Sequence, residues 1–181
     1  MKDGRGNNLF AITIKNPWAY FILEGIKPVE NRSWQCGFRG VLLIHASKQF
    51  DDDWQKGLGQ EALHMARKKL AMLNIARSGH SPWVYSAVIG AVIITGSDQY
   101  YLSDWCQVGQ NYIWFSNPIK FKNPIPCKGK QRIFHPEIEL QQISTEDRIS
   151  LNNLYDYSIS LGLQSFEISD FKTTDSRFKE I

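Results

Sequence analysis

Two nearly continuous apolar runs constrain this chain most. Residues 40–47 read Gly-Val-Leu-Leu-Ile-His-Ala-Ser, and residues 84–95 read Val-Tyr-Ser-Ala-Val-Ile-Gly-Ala-Val-Ile-Ile-Thr. A strand buried on one face alternates apolar and polar residues, so runs this continuous and this short predict central strands covered on both faces. Gly90 interrupts the second run, where glycine predicts a bulge. The longest apolar stretch, around residues 87–95, is far too short to span a bilayer.

The other elements are set out around these two strands. Residues 9–14 predict a first strand. Asn16 is suited to an N-cap and Pro17 to the first helical position, which starts a short helix over residues 18–24. Gly25 stops it as a C′ glycine does, and Pro28 forbids its continuation. One of Asp51, Asp52 or Asp53 is expected to cap a longer helix running to about residue 76. Its apolar positions Leu58, Ala62, Met65, Ala66, Leu70 and Leu73 recur at helical spacing, while Gly57 and Gly59 weaken its first turns. Residues 78–82 read as a loop. Further strands are expected over residues 113–121 and 133–140, with Asn117-Pro118 and Asn123-Pro124 marking turns or kinks. A late helix over residues 145–161 carries Ile149, Leu151, Leu154, Tyr155 and Ile159 and ends at Gly162. Residues 163–181 are polar and expected to be poorly ordered, with Phe166, Ile168 and Phe171 able to dock. The order predicts an α+β fold with a mainly antiparallel, barrel-like sheet. No Gly-rich phosphate loop is present.

Charge is unevenly spread. Residues 1–136 carry 17 Lys/Arg against 9 Asp/Glu, a net +8, while residues 137–181 carry 4 against 9, a net −5. A basic body favours polyanionic partners, although a solvated surface gives the same asymmetry. Six tryptophans serve equally as core residues or as stacking platforms for bases. Cys36, Cys106 and Cys127 are odd in number and far apart, and the four histidines do not fall at zinc-ligand spacing. Neither a metal site nor a disulfide framework is expected, and the free thiols suit a reducing cytoplasm. The polar N-terminus has no apolar core of a signal peptide. Nothing calls for a cofactor.

The densest concentration of functional groups is Gly25-Ile26-Lys27-Pro28-Val29-Glu30-Asn31-Arg32, just after the short helix. If residues 29–32 are extended, Glu30 and Arg32 share a face, with Lys27 close by in the turn. Such a cluster suits a polar ligand or a phosphate.

These residues resemble the signature of the ASCH domain, a family of the PUA-like β-barrel superfamily. The pattern G-x-K-x-x-E-x-R is matched at Gly25, Lys27, Glu30 and Arg32. The flanks agree: Asn16-Pro17-Trp18-Ala19 precedes the motif and residues 38–47 (Phe-Arg-Gly-Val-Leu-Leu-Ile-His-Ala-Ser) follow it, as in family members with a "PWA" helix and an "RG-hydrophobic-IHAS" strand. Ile89-Gly90-Ala91-Val92 looks like the family's returning strand, Ser103-Asp104-Trp105 with Tyr112-Ile113-Trp114 like its polar-aromatic rim, and Lys128-Gly129-Lys130-Gln131 like its closing segment. The resemblance covers residues 9–136 as one ASCH/PUA-like domain. Residues 137–181 lie outside it as an acidic C-terminal extension with a helix around 145–161. It implies a mainly antiparallel β-barrel with flanking helices and a cleft lined by the motif. It also implies binding of RNA or a modified nucleoside or nucleotide; some small members hydrolyse the acyl amide of N4-acetylcytidine. Those hydrolases carry threonine where this chain has Glu30, and Ser33 is nearby but not at the matching position.

Each candidate residue has a functional and a structural reading. Lys27 could contact phosphate or act as a base, or simply pair with Glu30. Glu30 could move a proton or bond the amino edge of a base, or hold an ion pair with Arg32 or Arg39. Arg32 could grip phosphate or fork onto Glu30. Trp18 could stack on a base or belong to the core. His45 and Ser47 share a strand face at the expected rim, with Lys48 beside them; Trp34, Arg39, Ser103, Trp105 and Gln131 are further rim candidates. No catalytic triad stands out. The leading expectation is a binding module for RNA or a modified nucleotide. The alternative is a hydrolase acting on an acylated nucleoside or on RNA, with Lys27 and Glu30 in acid/base roles. A third reading is a protein-interaction adaptor whose acidic tail folds over the basic cleft.

Overall fold

The computed structural model describes residues 8–72, 83–100 and 103–163. The predicted loop at 78–82, the last turn expected of the long helix and the tail beyond residue 163 lie outside them. The fold is mixed α+β, with one curled six-stranded sheet, a half-barrel in form, and three helices among the described residues. The strands are β1 (Ala11–Asn16), β2 (Val29–Arg32), β3 (Gly40–Phe50), β4 (Ala87–Asp98), β5 (Asn111–Pro126) and β6 (Ile133–Phe134). The helices are α1 (Trp18–Leu23), α2 (Gln60–Met72) and α3 (Thr145–Ser160). The sheet order is β2-β5-β4-β3-β1-β6, antiparallel throughout except for the parallel pair β1–β3.

The apolar runs form the two central strands, β3 and β4, and alternate residues serve opposite faces. Val41, Leu43, Ala91 and Ile93 pack with Leu151, Leu154 and Tyr155 of α3. Leu42, Ile44, Val92 and Ile94 pack with Ala19 and Ile22 of α1. Both faces are therefore dry, which is why the runs show no polar alternation. At Gly90 the pairing with β5 slips, as the glycine predicts. A side chain there would collide with the Ile119 carbonyl, at 2.2 Å from the position of a Cβ.

Three local expectations change. Asn16 does not cap α1: Pro17 holds the cap position without a side-chain bond, and Asn16 Nδ2 instead donates to the Val84 carbonyl at 2.7 Å. The helix expected from Asp51–Asp53 begins only at Gln60, and residues 52–57 are turns. Its first turn is capped from afar, by Asp104 Oδ2 accepting the Glu61 amide at 3.0 Å. The strand expected over residues 133–140 shortens to β6 and is followed by a 3₁₀ turn, Leu140–Gln142.

Helix α3 of the acidic extension is docked on the sheet. Ser144 caps α3, accepting the Asp147 amide at 3.1 Å. Asp147, only 4% exposed, turns its carboxylate to the Lys122 amide of β5 at 2.9 Å and to the Ser144 hydroxyl at 2.7 Å. No helix among the described residues is long and apolar enough to cross a membrane.

Candidate ligand-binding cleft

The sheet has two edges, β2 and β6, and the cleft lies between β2 and the uncovered end of β1. β6 pairs with β1 only at Ala11 and Ile12, so Thr13, paired with β3 on one side, has no strand on the other. Arg32 on β2 fills that gap: its Nη2 donates to the Thr13 carbonyl at 2.7 Å.

The motif turn has a definite cause. Gly25 adopts a φ of +73°, a left-handed value that disfavours any side chain. The Gly25 amide then bonds the Ile22 carbonyl at 3.0 Å and the Ile26 amide the Phe21 carbonyl at 3.1 Å, the double closure of a Schellman motif. The Lys27 amide shares the Phe21 carbonyl. The chain thereby reverses and drops the Lys27 side chain into the protein, where only 2% of it stays exposed.

Lys27, Glu30 and Arg32 form one ionic chain. Lys27 Nζ lies 2.9 Å from Glu30 Oε2 and also donates to the Val29 carbonyl; Glu30 Oε1 lies 3.2 Å from Arg32 Nη2. The same ammonium lies 5.5 Å from the centroid of the Trp18 ring. The Trp18 indole N–H in turn donates to Asp51 Oδ2 at 2.9 Å. Burial pushes the Lys27 amine below the ordinary lysine value; Glu30 opposes this and Arg32 adds to it. A buried amine whose proton affinity is lowered by burial and supported by one carboxylate suits hydrogen bonding and proton transfer alike.

The cleft encloses about 380 Å³. Trp18, Lys27, Glu30, Arg32, Ser47 and Gln131, all singled out in the sequence, line it together. Arg39, His45, Lys48 and Trp105 do not. Arg39 is turned onto its own loop, donating to the Cys36 and Phe38 carbonyls at 2.9 and 2.8 Å. Lys48 lies on the exposed end of β3. Trp105 is a core residue, packed on Phe21 at 5.9 Å, and faces a neighbouring groove beside Gly25, Pro28 and Ser103. Trp34 lies under the Arg132 guanidinium, 5.9 Å from its ring centroid.

His45 lies buried under the closing segment. Its Nε2 donates to the Cys127 carbonyl at 3.1 Å, and burial holds the imidazole below its ordinary value, with that carbonyl pulling the other way. Thr13, its neighbour in the parallel pairing, carries a buried hydroxyl with no partner, as do His45 Nδ1 and Arg32 Nε. Gly129 crosses directly above. A Cβ there would stand 2.6 Å from both His45 Cε1 and Thr13 Oγ1.

Sequence reasoning missed Thr13, Lys15, Asn31, Asp51, Leu58, Gln107 and Lys130, which complete the lining. Asn31 sits inside the motif. Its side chain braces the next loop, donating to the Trp105 carbonyl and accepting the Gln107 amide, both at 2.9 Å. Its place between Glu30 and Arg32 was the available signal. Thr13 and Lys15 reach the cleft only through the parallel β1–β3 pairing, which no local pattern announces. Among the described residues no group of three His, Cys, Asp or Glu is arranged to hold a metal ion.

Neither a protein-family model nor a curated protein matches this chain.

Proposed function

We propose that the chain is an ASCH-type, PUA-like domain whose cleft holds one nucleobase of RNA or of a modified nucleotide. The observation that carries this reading is the buried Lys27–Glu30–Arg32 chain beside the Trp18 ring in a cleft of about 380 Å³. An aromatic wall supplies a stacking surface for a base. The ionic chain presents both acceptors and donors to its polar edge. The basic character of residues 1–136 adds long-range attraction for polyanions.

The test is titration of tryptophan fluorescence with short single-stranded RNA and with a panel of modified nucleosides. Saturable binding that is lost in Lys27→Met, with the fold retained, supports the reading. No binding at low salt by any of these ligands removes it.

One observation favours a second reading, hydrolysis of an acylated nucleoside. The Lys27 amine is depressed by burial and lies 2.9 Å from Glu30, so a proton can pass between them. In that chemistry neutral Lys27 takes a proton from the attacking water, Glu30 relays it to the leaving amine, and Arg32 stabilises the charge that develops on the acyl oxygen. Mass spectrometry of acylated nucleosides incubated with the protein tests it: released acid that depends on Lys27 supports hydrolysis, and intact substrates throughout count against it.

A further inference from the structure

The fixed charges around the cleft do not balance. Glu30 is engaged by Lys27 and Arg32, and Asp51 holds the Trp18 indole. Lys15 is exposed at the rim with no ion-pair partner among the described residues. Lys130 reaches Glu137 at 2.8 Å, a residue outside the cleft. Four lining cations therefore face two lining acids.

Two neutral donors stand with Lys15 and Lys130. Ser47 Oγ accepts the Gln49 amide at 3.1 Å, which leaves its hydroxyl proton to point elsewhere. Gln131 brings a carboxamide to the same lining.

We propose that Lys15, Ser47, Lys130 and Gln131 form a phosphate subsite, so that the ligand is a nucleoside monophosphate with its base against Trp18. This rests on the nucleobase reading above and names the ligand class for the same site. A phosphate monoester carries nearly two negative charges at neutral pH and several strong acceptor oxygens. It thus matches Lys15, unpaired among the described residues, a Lys130 that it can draw away from the exposed Glu137, and the hydroxyl and amide donors beside them. A phosphodiester within a strand carries one charge and offers fewer free oxygens. The cleft is also near the lower end of the range for small-molecule pockets, which suits a single nucleotide.

Calorimetric titration decides it. The ligands are the common ribonucleosides and N4-acetylcytidine, each alone and as its 5′-monophosphate, together with dinucleotides whose only phosphate is a diester. The monophosphate of the preferred nucleoside should bind about tenfold more tightly than the nucleoside itself at low salt. The gap should narrow as salt rises, because the lysines are exposed and screened. In the double variant Lys15→Gln, Lys130→Gln the ratio of monophosphate to nucleoside affinity should fall to about one. Three results would overturn the phosphate subsite yet leave the nucleobase reading standing: equal affinities in the wild type, a gap that survives the double variant, or a diester that gains as much as the monoester. Failure of every nucleoside, monophosphate and dinucleotide to bind, and of short single-stranded RNA with them, removes both.

Discussion

The Arg32 guanidinium spans the opening of the sheet, its Nη2 lying 2.7 Å from the Thr13 carbonyl oxygen. Thr13 belongs to β1 and Arg32 to the opposite edge strand, so one side chain stands in for the missing ladder between them. Arg32→Ala removes this bond and the contact with Glu30, leaving the Thr13 carbonyl without this donor and Glu30 with Lys27. Loss of about 1–3 kcal/mol is expected by urea denaturation. Arg32→Lys should recover only part of it, because an ammonium cannot reproduce the planar fork.

Lys27 separates stability from binding. Lys27→Met fills a similar volume and takes a buried charge out of the core, while Glu30 keeps Arg32. It should lose about 1–3 kcal/mol, because the largely buried Glu30 is left with Arg32 as its cationic partner. Lys27→Ala also opens a cavity and should cost more. Both should lose ligand binding in the fluorescence titration. Retained affinity in Lys27→Met would show that the ammonium takes no part.

His45 predicts an acid-side pH dependence. Its folded value lies below the unfolded one, about 6.5, so in the window between them the unfolded chain binds more protons. The stability contributed by neutral, buried His45 is thus fully present above about pH 6.5 and lost as the pH falls toward the folded value. Denaturation midpoints measured between about pH 7 and pH 5 should fall more steeply for the wild type than for His45→Gln. Parallel slopes would show that the imidazole is not the group that titrates.

Gly129 should be intolerant of any side chain. A Cβ at 2.6 Å from His45 and Thr13 must push the closing segment away from the sheet. Gly129→Ala should lose about 1–3 kcal/mol by thermal or chemical unfolding. Gly96→Ala is the control: its Cβ would meet its nearest neighbour, Trp114, at an ordinary 3.6 Å and should be tolerated.

Asp147 tests the coupling of α3 to the sheet. Its carboxylate accepts from the Lys122 amide and the Ser144 hydroxyl. Asp147→Ala should cost about 1–3 kcal/mol, and hydrogen exchange should show weakened protection at Lys122. Unchanged protection there would mean that α3 is held by its apolar face alone.

How far the sequence discloses this arrangement depends on whether a feature is local. The strands of residues 40–47 and 84–95, the slip at Gly90 and the turn at Gly25 all follow from side-chain pattern and backbone freedom within a few residues. So does the proximity of Lys27, Glu30 and Arg32, because the turn and the period of an extended strand place them together. The cap of α2 by Asp104 and the use of Arg39 on its own loop were not legible, since each depends on which carbonyl or amide the fold leaves open. Thr13 and Lys15 are hidden for the same reason. Only once β1 lies parallel to β3, with β6 stopping short, do they border a cleft.

The unclosed sheet also makes occupancy readable. Where the Arg32 guanidinium bridges β2 and β1, the described residues join the two strands without a ladder, and so more weakly than neighbouring strands are joined. A molecule seated between them touches both and acts as a splint. Its binding free energy then adds to the cohesion of the whole sheet, so a rise in melting temperature reports a ligand even before its chemistry is known.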